Sequence, residues 1–126
     1  MKIWHDDIRR PPDDSWYWCR TNEEVILLMT RSNFPWYTIT EISMDHDLGL
    51  HNEDPDELEA VFRRGFGEKT GLDLVKWLIE NDRVPNKVTI HSWNPDGARY
   101  MAAMLNHHGY DCIVKPYEPK GTVRFD

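Results

Sequence analysis

Tyr37-Thr-Ile-Thr-Glu-Ile-Ser-Met-Asp-His-Asp47 starts as an alternation of apolar and polar residues, becomes more apolar through Ile42 and Met44, and ends on two acids around a histidine. A strand over Thr38–Met44 that is covered on both faces reads this way, and cover on both faces marks a central strand of a parallel sheet. Working outward, Lys2 to His5, Trp16 to Cys19, Val88 to Ile90 and Cys112 to Val114 are shorter runs of the same kind. Asp6-Asp7 closes the first run, Asp45 closes the central one, and Lys115-Pro116 closes the last. Strands of one parallel sheet share a carboxyl edge, where open α/β folds place their ligands. Three carboxylates and one amine are therefore expected around a common pocket.

The segments between these runs alternate in type. Pro11-Pro12 after Arg9-Arg10 forbids a helix in the first crossover. Thr21-Asn-Glu-Glu24 is a capping box that opens a helix to about Arg31. Thr70-Gly-Leu-Asp73 caps a helix with Leu72, Val75, Trp77, Leu78 and Ile79 as its apolar residues, ended by Pro85. Asn94-Pro95 is an N-cap followed by a first-turn proline, predicting a helix to about His107 with Gly109 behind it. Leu50 to Lys69 is an insertion, acidic at first and then Phe62-Arg-Arg-Gly-Phe-Gly67. It reads either as a solvated surface segment or as a lid carrying Arg63 and Arg64 over the sheet edge. After Pro116 no helical period is visible.

With 126 residues, 40% hydrophobic and 29% charged, the whole chain, residues 1–126, is expected to form one domain with one core. The net charge of −7 argues against long duplex nucleic acid as a partner, because a polyanion backbone needs a basic stripe. No apolar run approaches the roughly 20 residues that span a bilayer, and nothing at the amino terminus reads as a signal peptide. The expectation is a cytoplasmic protein without a membrane partner. Cys19 and Cys112 fall on strands about 19 Å apart at ordinary strand spacing, so both are expected to be reduced. Most of the six tryptophans are expected in the core, where large aromatics contribute most buried area.

Asp6, Asp7 and Asp45 together make a hard, oxygen-rich site that suits Mg²⁺ or Mn²⁺. Carboxylates so crowded repel one another unless a cation or a raised pKa relieves them. The plainer alternative is that Asp6 or Asp7 caps a turn before Ile8-Arg9. His46 and His91 follow neighbouring strands, with Asp47 near enough to orient an imidazole, and such a pair can serve as general base and acid; ordinary strand-end hydrogen bonding is the competing account. Ser92 precedes a helix whose free amides, near Asn94, form an anion seat. Lys115, Arg9 and Arg20 are further phosphate contacts. Trp93 stacks on a base or packs beneath its loop. His5 is expected to be a buried, satisfied core histidine.

The order Asp6-Asp7, Asp45, Ser92, Lys115-Pro116 resembles the response-regulator receiver domain over nearly the whole chain. More specifically, Ile3-Trp-His-Asp-Asp-Ile-Arg9, Glu41-Ile-Ser-Met-Asp-His-Asp-Leu-Gly49, Thr70-Gly-Leu-Asp73 and His91-Ser-Trp-Asn-Pro95 resemble the receiver-like family named for cyclic-phosphate processing. The resemblance implies a flavodoxin-like, five-stranded parallel sheet in order 2-1-3-4-5, a divalent metal on Asp6, Asp7 and Asp45, and a role with cyclic phosphate ends of RNA or related nucleotides. Two departures from ordinary receivers stand out: the first helix is reduced to a turn, and the last is missing. The expected function is a metal-dependent phosphoesterase acting on cyclic phosphates. The alternatives are a phosphoacceptor at Asp45 and a module that binds a cyclic nucleotide without turnover.

Overall fold

The structure is a computed structural model and describes residues 1–46, 70–92 and 94–115. Its strands are β1 (Lys2–His5), β2 (Trp16–Cys19), β3 (Glu41–Met44), β4 (Lys87–His91) and β5 (Ile113–Lys115). The helices are α1 (Asn22–Thr30), α2 (Gly71–Glu80) and α3 (Pro95–His107), with a 3-10 turn at Trp36–Thr38. All strand pairs are parallel, and the sheet order is β2-β1-β3-β4-β5. This is the flavodoxin-like, receiver-like α/β fold read from the sequence.

Crossover handedness decides what covers each face. The connections β2 to β3, β3 to β4 and β4 to β5 all advance the same way along the sheet, so right-handed crossovers put α1, α2 and α3 on one face. There Ile3, Ile42, Met44 and Ile90 form a continuous core with Val25, Leu74, Leu78, Met101 and Leu105 of the helices. The step from β1 to β2 runs backwards, so its crossover must pass over the opposite face. That crossover contains no helix, as Pro11-Pro12 requires. The expected absence of a closing helix concerns residues after 115 and lies outside the described residues, as does the insertion at 50–69.

Trp4, Trp16 and Trp18 lie on the second face, where Trp4 is buried and Trp16 and Trp18 are half-buried. They alternate with Ile3, His5, Tyr17 and Cys19 along their strands. Trp4 packs edge-on to Trp16 at 5.7 Å between ring centroids, and Lys2 Nζ lies 4.4 Å over Trp16. Trp36 and Trp77 pack at the margin of the core.

The central strand is shorter than expected and begins at Glu41. Pro35 turns the chain, and its carbonyl accepts hydrogen bonds from both the amide and the hydroxyl of Thr38 at 3.0 and 2.8 Å. This 3-10 turn sends Ile39 into the core, where it is 2% exposed. Its alternating pattern therefore reflects a turn with one apolar face. β4 instead runs one residue longer at each end, Lys87–His91. Helix starts follow the caps: Thr70 and Asp73 form a complete capping box, and Asn94 accepts from the Gly97 amide. At α1 Thr21 accepts from the Glu24 amide, but the Glu24 carboxylate takes the Arg20 amide instead of closing the box on Thr21. Gly109 has φ 88°, the left-handed conformation of a helix end. Cys19 and Cys112 are free thiols. Among the described residues no helix is long and apolar enough to cross a membrane.

Candidate functional site

Asp6 and Asp45 are the first residues beyond β1 and β3. The Asp6 amide donates to Cys19 O and the Asp45 amide to His5 O, at 3.1 and 3.0 Å. The sheet's backbone bonding thus continues one step past the strands and sets both acids at one edge, nearly buried. Asp6, Asp7 and Asp45 each offer a carboxylate oxygen within 4.8 Å of the others. Their hard oxygen donors fit a divalent ion such as Mg²⁺ or Mn²⁺.

The two buried acids differ in their surroundings. Asp6 Oδ1 accepts from the amides of Ile8 and Arg9 at 2.9 and 2.8 Å, so the turn-capping account of Asp6 is realised by this oxygen. Oδ2 accepts from His91 Nε2 at 3.1 Å. Burial pushes Asp6 up, but the bonds from His91 and the two amides outweigh it and hold the carboxyl below its ordinary value. Asp45 is pushed up to about 7 by burial and then by the charge of Asp6, against pulls from Arg9, the Ser92 hydroxyl and the His46 amide.

Arg9 stands between the two acids. Its Nη1 is 3.5 Å from Asp6 Oδ2 and 3.5 Å from Asp45 Oδ2. The sequence points to Arg9 as a phosphate contact; in the structure its guanidinium lies on the carboxylates. Arg20 turns inward likewise, donating Nε and Nη2 to the carbonyl of Asp7 at 3.0 and 2.7 Å over the ring of Trp18. It fixes the backbone that carries Asp7.

His91 lies beneath the acids and is 3% exposed. Its Nε2 faces Asp6, its Nδ1 lies 2.6 Å from Ser43 Oγ, and its ring stacks on Trp4 at 3.7 Å with 7° between planes. Burial lowers its pKa despite the neighbouring Asp6. At neutral pH it therefore acts on Asp6 as a neutral hydrogen-bond donor from Nε2–H, with Nδ1 accepting from Ser43. Its contribution to the low Asp6 value comes first from that bond.

His46 is half-buried, and its carbonyl accepts from the Gly71 amide at 2.9 Å. Its ring lies against the first turn of α3, where a Cβ on Gly97 would come within 2.4 Å of its Cγ. The Ser92 side chain pulls the Asp45 pKa down, and its Oγ accepts from the Asn94 amide at 3.1 Å. Asn94 uses its side-chain oxygen as the α3 cap. Lys115 ends β5 opposite His91 in register and is exposed. Asp47, Trp93, Arg63 and Arg64 lie outside the described residues.

The structure adds residues that sequence reasoning did not assign to the site. Ser43 holds His91, and Trp4 both stacks on His91 and donates Nε1–H to Arg9 O at 2.8 Å. A single hydroxyl between Ile42 and Met44 was the available signal, since a buried hydroxyl needs a partner. Gly71 is required by space: a Cβ there would stand 2.0 Å from Asp45 O. His5 is buried as expected, with Nε2 2.8 Å from Asn22 Oδ1 and Asn22 Nδ2 donating to Thr70 O at 2.9 Å, but it is not fully satisfied, because its buried Nδ1 has no hydrogen-bond partner among the described residues.

Residues 1–107 match the family described as the cyclic-phosphate processing receiver domain. The chain belongs to that family. No curated protein matches the chain, and no solved structure does. The family's description links this receiver domain to cyclic-phosphate processing, and the matched span includes the carboxylates, Arg9, His46, His91 and Ser92 but not Lys115.

Proposed function

We propose that this receiver domain is a metal-dependent phosphoesterase that opens cyclic phosphates, either 2′,3′-cyclic RNA ends or cyclic nucleotides. The observation that carries the proposal is the convergence of Asp6, Asp7 and Asp45 within 4.8 Å at an edge that also holds Ser92 and His46. A Mg²⁺ or Mn²⁺ ion on these carboxylates would polarise the phosphoryl group or activate a water.

The chain's own residues divide the remaining work. His46 is the imidazole with solvent access, so proton transfer to or from a phosphate oxygen falls chiefly to it, with Asp47, next in sequence, orienting an imidazole. His91, nearly excluded from solvent, serves by fixing Asp6. Ser92, Lys115 and the capped α3 start at Asn94 seat the phosphate. Arg9 can add a bidentate contact only by leaving the carboxylates.

One observation favours a second reading: the Ser92 side chain acts on the carboxylate of Asp45 and pulls its pKa down, where a receiver would carry its phosphoryl group. That role predicts an acid-labile aspartyl phosphate on Asp45 and no ring-opened product.

The test is incubation with Mg²⁺ or Mn²⁺ and a panel of cyclic mononucleotides, cyclic dinucleotides and oligonucleotides ending in a 2′,3′-cyclic phosphate, with products resolved by mass. The expected result is metal-dependent ring opening that Asp45→Asn and His46→Ala both lose. A panel left intact would refute the esterase, and ligand retained unaltered by the protein would indicate sequestration.

A further inference from the structure

The Arg9 side chain stands where an ion between Asp6 and Asp45 would have to go. Asp6 Oδ1 is taken by two backbone amides, and Asp45 Oδ1 accepts from the amide of His46 at 2.8 Å. The Oδ2 atoms are therefore the oxygens these acids turn toward each other, and Arg9 Nη1 reaches both, at 3.5 Å each. We propose that Arg9 is a built-in counter-cation which a divalent ion must displace, so that guanidinium and metal hold the carboxylate cluster in turn. This rests on the metal-binding reading above and adds to it the residue that sets the affinity.

Charge and geometry both support the exchange. A divalent ion and a guanidinium on the same pair of buried oxygens would repel at contact distance, with little solvent between them to screen the repulsion. The Arg9 side chain is 20% exposed, against 1% and 4% for the acids it covers, so it closes the cluster from the solvent side. Its backbone is fixed at both ends, with the amide on Asp6 Oδ1 and the carbonyl on Trp4 Nε1. The side chain can therefore swing away while the loop stays in place. Once released, the guanidinium remains tethered at the rim of the site, and its planar fork suits a phosphate. Metal arrival would thus turn Arg9 from a carboxylate partner into an anion partner.

Calorimetric titration of the full chain with Mn²⁺ tests this in the wild type, Arg9→Gln and Arg9→Lys. Arg9→Gln is expected to bind Mn²⁺ about tenfold more tightly, the size of effect that removing one close competing charge produces. Arg9→Lys should remain near the wild type, because it restores the charge. A purely structural role for Arg9 would move affinity the other way, by loosening the Asp6 turn. Equal or weaker binding by Arg9→Gln overturns the proposal while leaving the metal site standing; no binding by any of the three overturns both. A readout that needs no variant is the side-chain Nε–H resonance of Arg9 in the wild type during a Mg²⁺ titration. A saturable shift supports the exchange, and a resonance unmoved at saturating Mg²⁺ refutes it even if Arg9→Gln fails to fold.

Discussion

On one face of the sheet Ile3, Ile42 and Ile90 meet three helices; on the other Trp4, Ser43 and His91 meet one another beneath a proline-stiffened crossover. Non-directional burial organises the first face, and its replaceable parts are volumes. The second is organised by pairs with defined atoms. Ser43 anchors His91 at Nδ1, His91 fixes Asp6 through Nε2–H, and Trp4 fixes the Arg9 carbonyl. The comparison teaches that the helical face keeps the sheet folded while the loop-covered face sets the carboxylates. Substitutions on the two faces should therefore separate stability from site geometry.

The largest effect is expected where both faces meet the same strand end. A Cβ at Gly71 would stand 2.0 Å from the Asp45 carbonyl and 2.8 Å from Met101 Cε. The carbonyl is backbone and cannot turn aside, so Gly71→Ala should cost on the order of 3 kcal/mol or more in urea unfolding. Gly97→Ala meets the His46 ring first, at 2.4 Å, and a ring can rotate. It should leave most of the stability and displace His46. Equal losses for the two alanines would show that His46 is held as rigidly as the backbone.

Next in size is truncation within the helical face. Leu74 is fully buried there, and Leu74→Ala should cost about 2–5 kcal/mol with Mn²⁺ affinity unchanged in the folded protein. A parallel loss of Mn²⁺ affinity would break the division between the faces.

Much of this division can be traced in the sequence. The strands, the caps at Thr70 and Asn94, the order of the acids and the helix-free first crossover follow from local rules that depend on neighbours a few residues apart. The site's finer geometry does not. Nothing near Arg9 in sequence distinguishes a guanidinium on carboxylates from one on phosphate, because that choice depends on Asp45, brought beside it by sheet pairing. The Trp4–His91 stack likewise joins residues from strands that are not adjacent. Thr38 and Thr40 misled for a local reason: an alternating pattern suits a strand, yet Pro35 upstream converts it into a turn.

The pH dependence sets one face against the other, and chelated protein isolates it. His5, in the helical face, is lowered from 6.5 to about 4, by burial before any other cause. Its unfolded form takes up the proton first as pH falls, so its stabilising contribution is complete above about 6.5 and is lost toward pH 4, at a scale of about 3 kcal/mol. Asp45, at the site, is raised from 3.8 to about 7. Its folded form holds the proton longer, so its contribution is complete below about 3.8 and is lost as pH rises through 7. The two slopes oppose each other across pH 4–6.5. Asp45→Asn should unmask a stability that rises with pH in that window, and His5→Leu one that falls, both read from urea midpoints. The same slope in both variants would refute the assignment of these two groups.

The smallest stability change and the most specific site effect are expected at Ser43. Ser43→Ala removes the donor to His91 Nδ1 without opening much space, at a cost of about 1 kcal/mol. With that donor gone, Nδ1 is left bare, and the ring, which the acceptor-only Asp6 carboxylate keeps in the Nε2–H tautomer, loses the anchor that aims Nε2–H at Asp6 Oδ2. Asp6 would then lose one of the bonds that keep its pKa low and should titrate higher, while Ser43→Thr, which keeps the hydroxyl, should restore the wild-type value. The ring-nitrogen shifts of His91 and the carboxyl shift of Asp6, followed by NMR in chelated protein, measure both steps. An unchanged Asp6 titration would mean that stacking on Trp4 alone orients His91. The chain of named atoms on this face would then reduce to packing, as on the other.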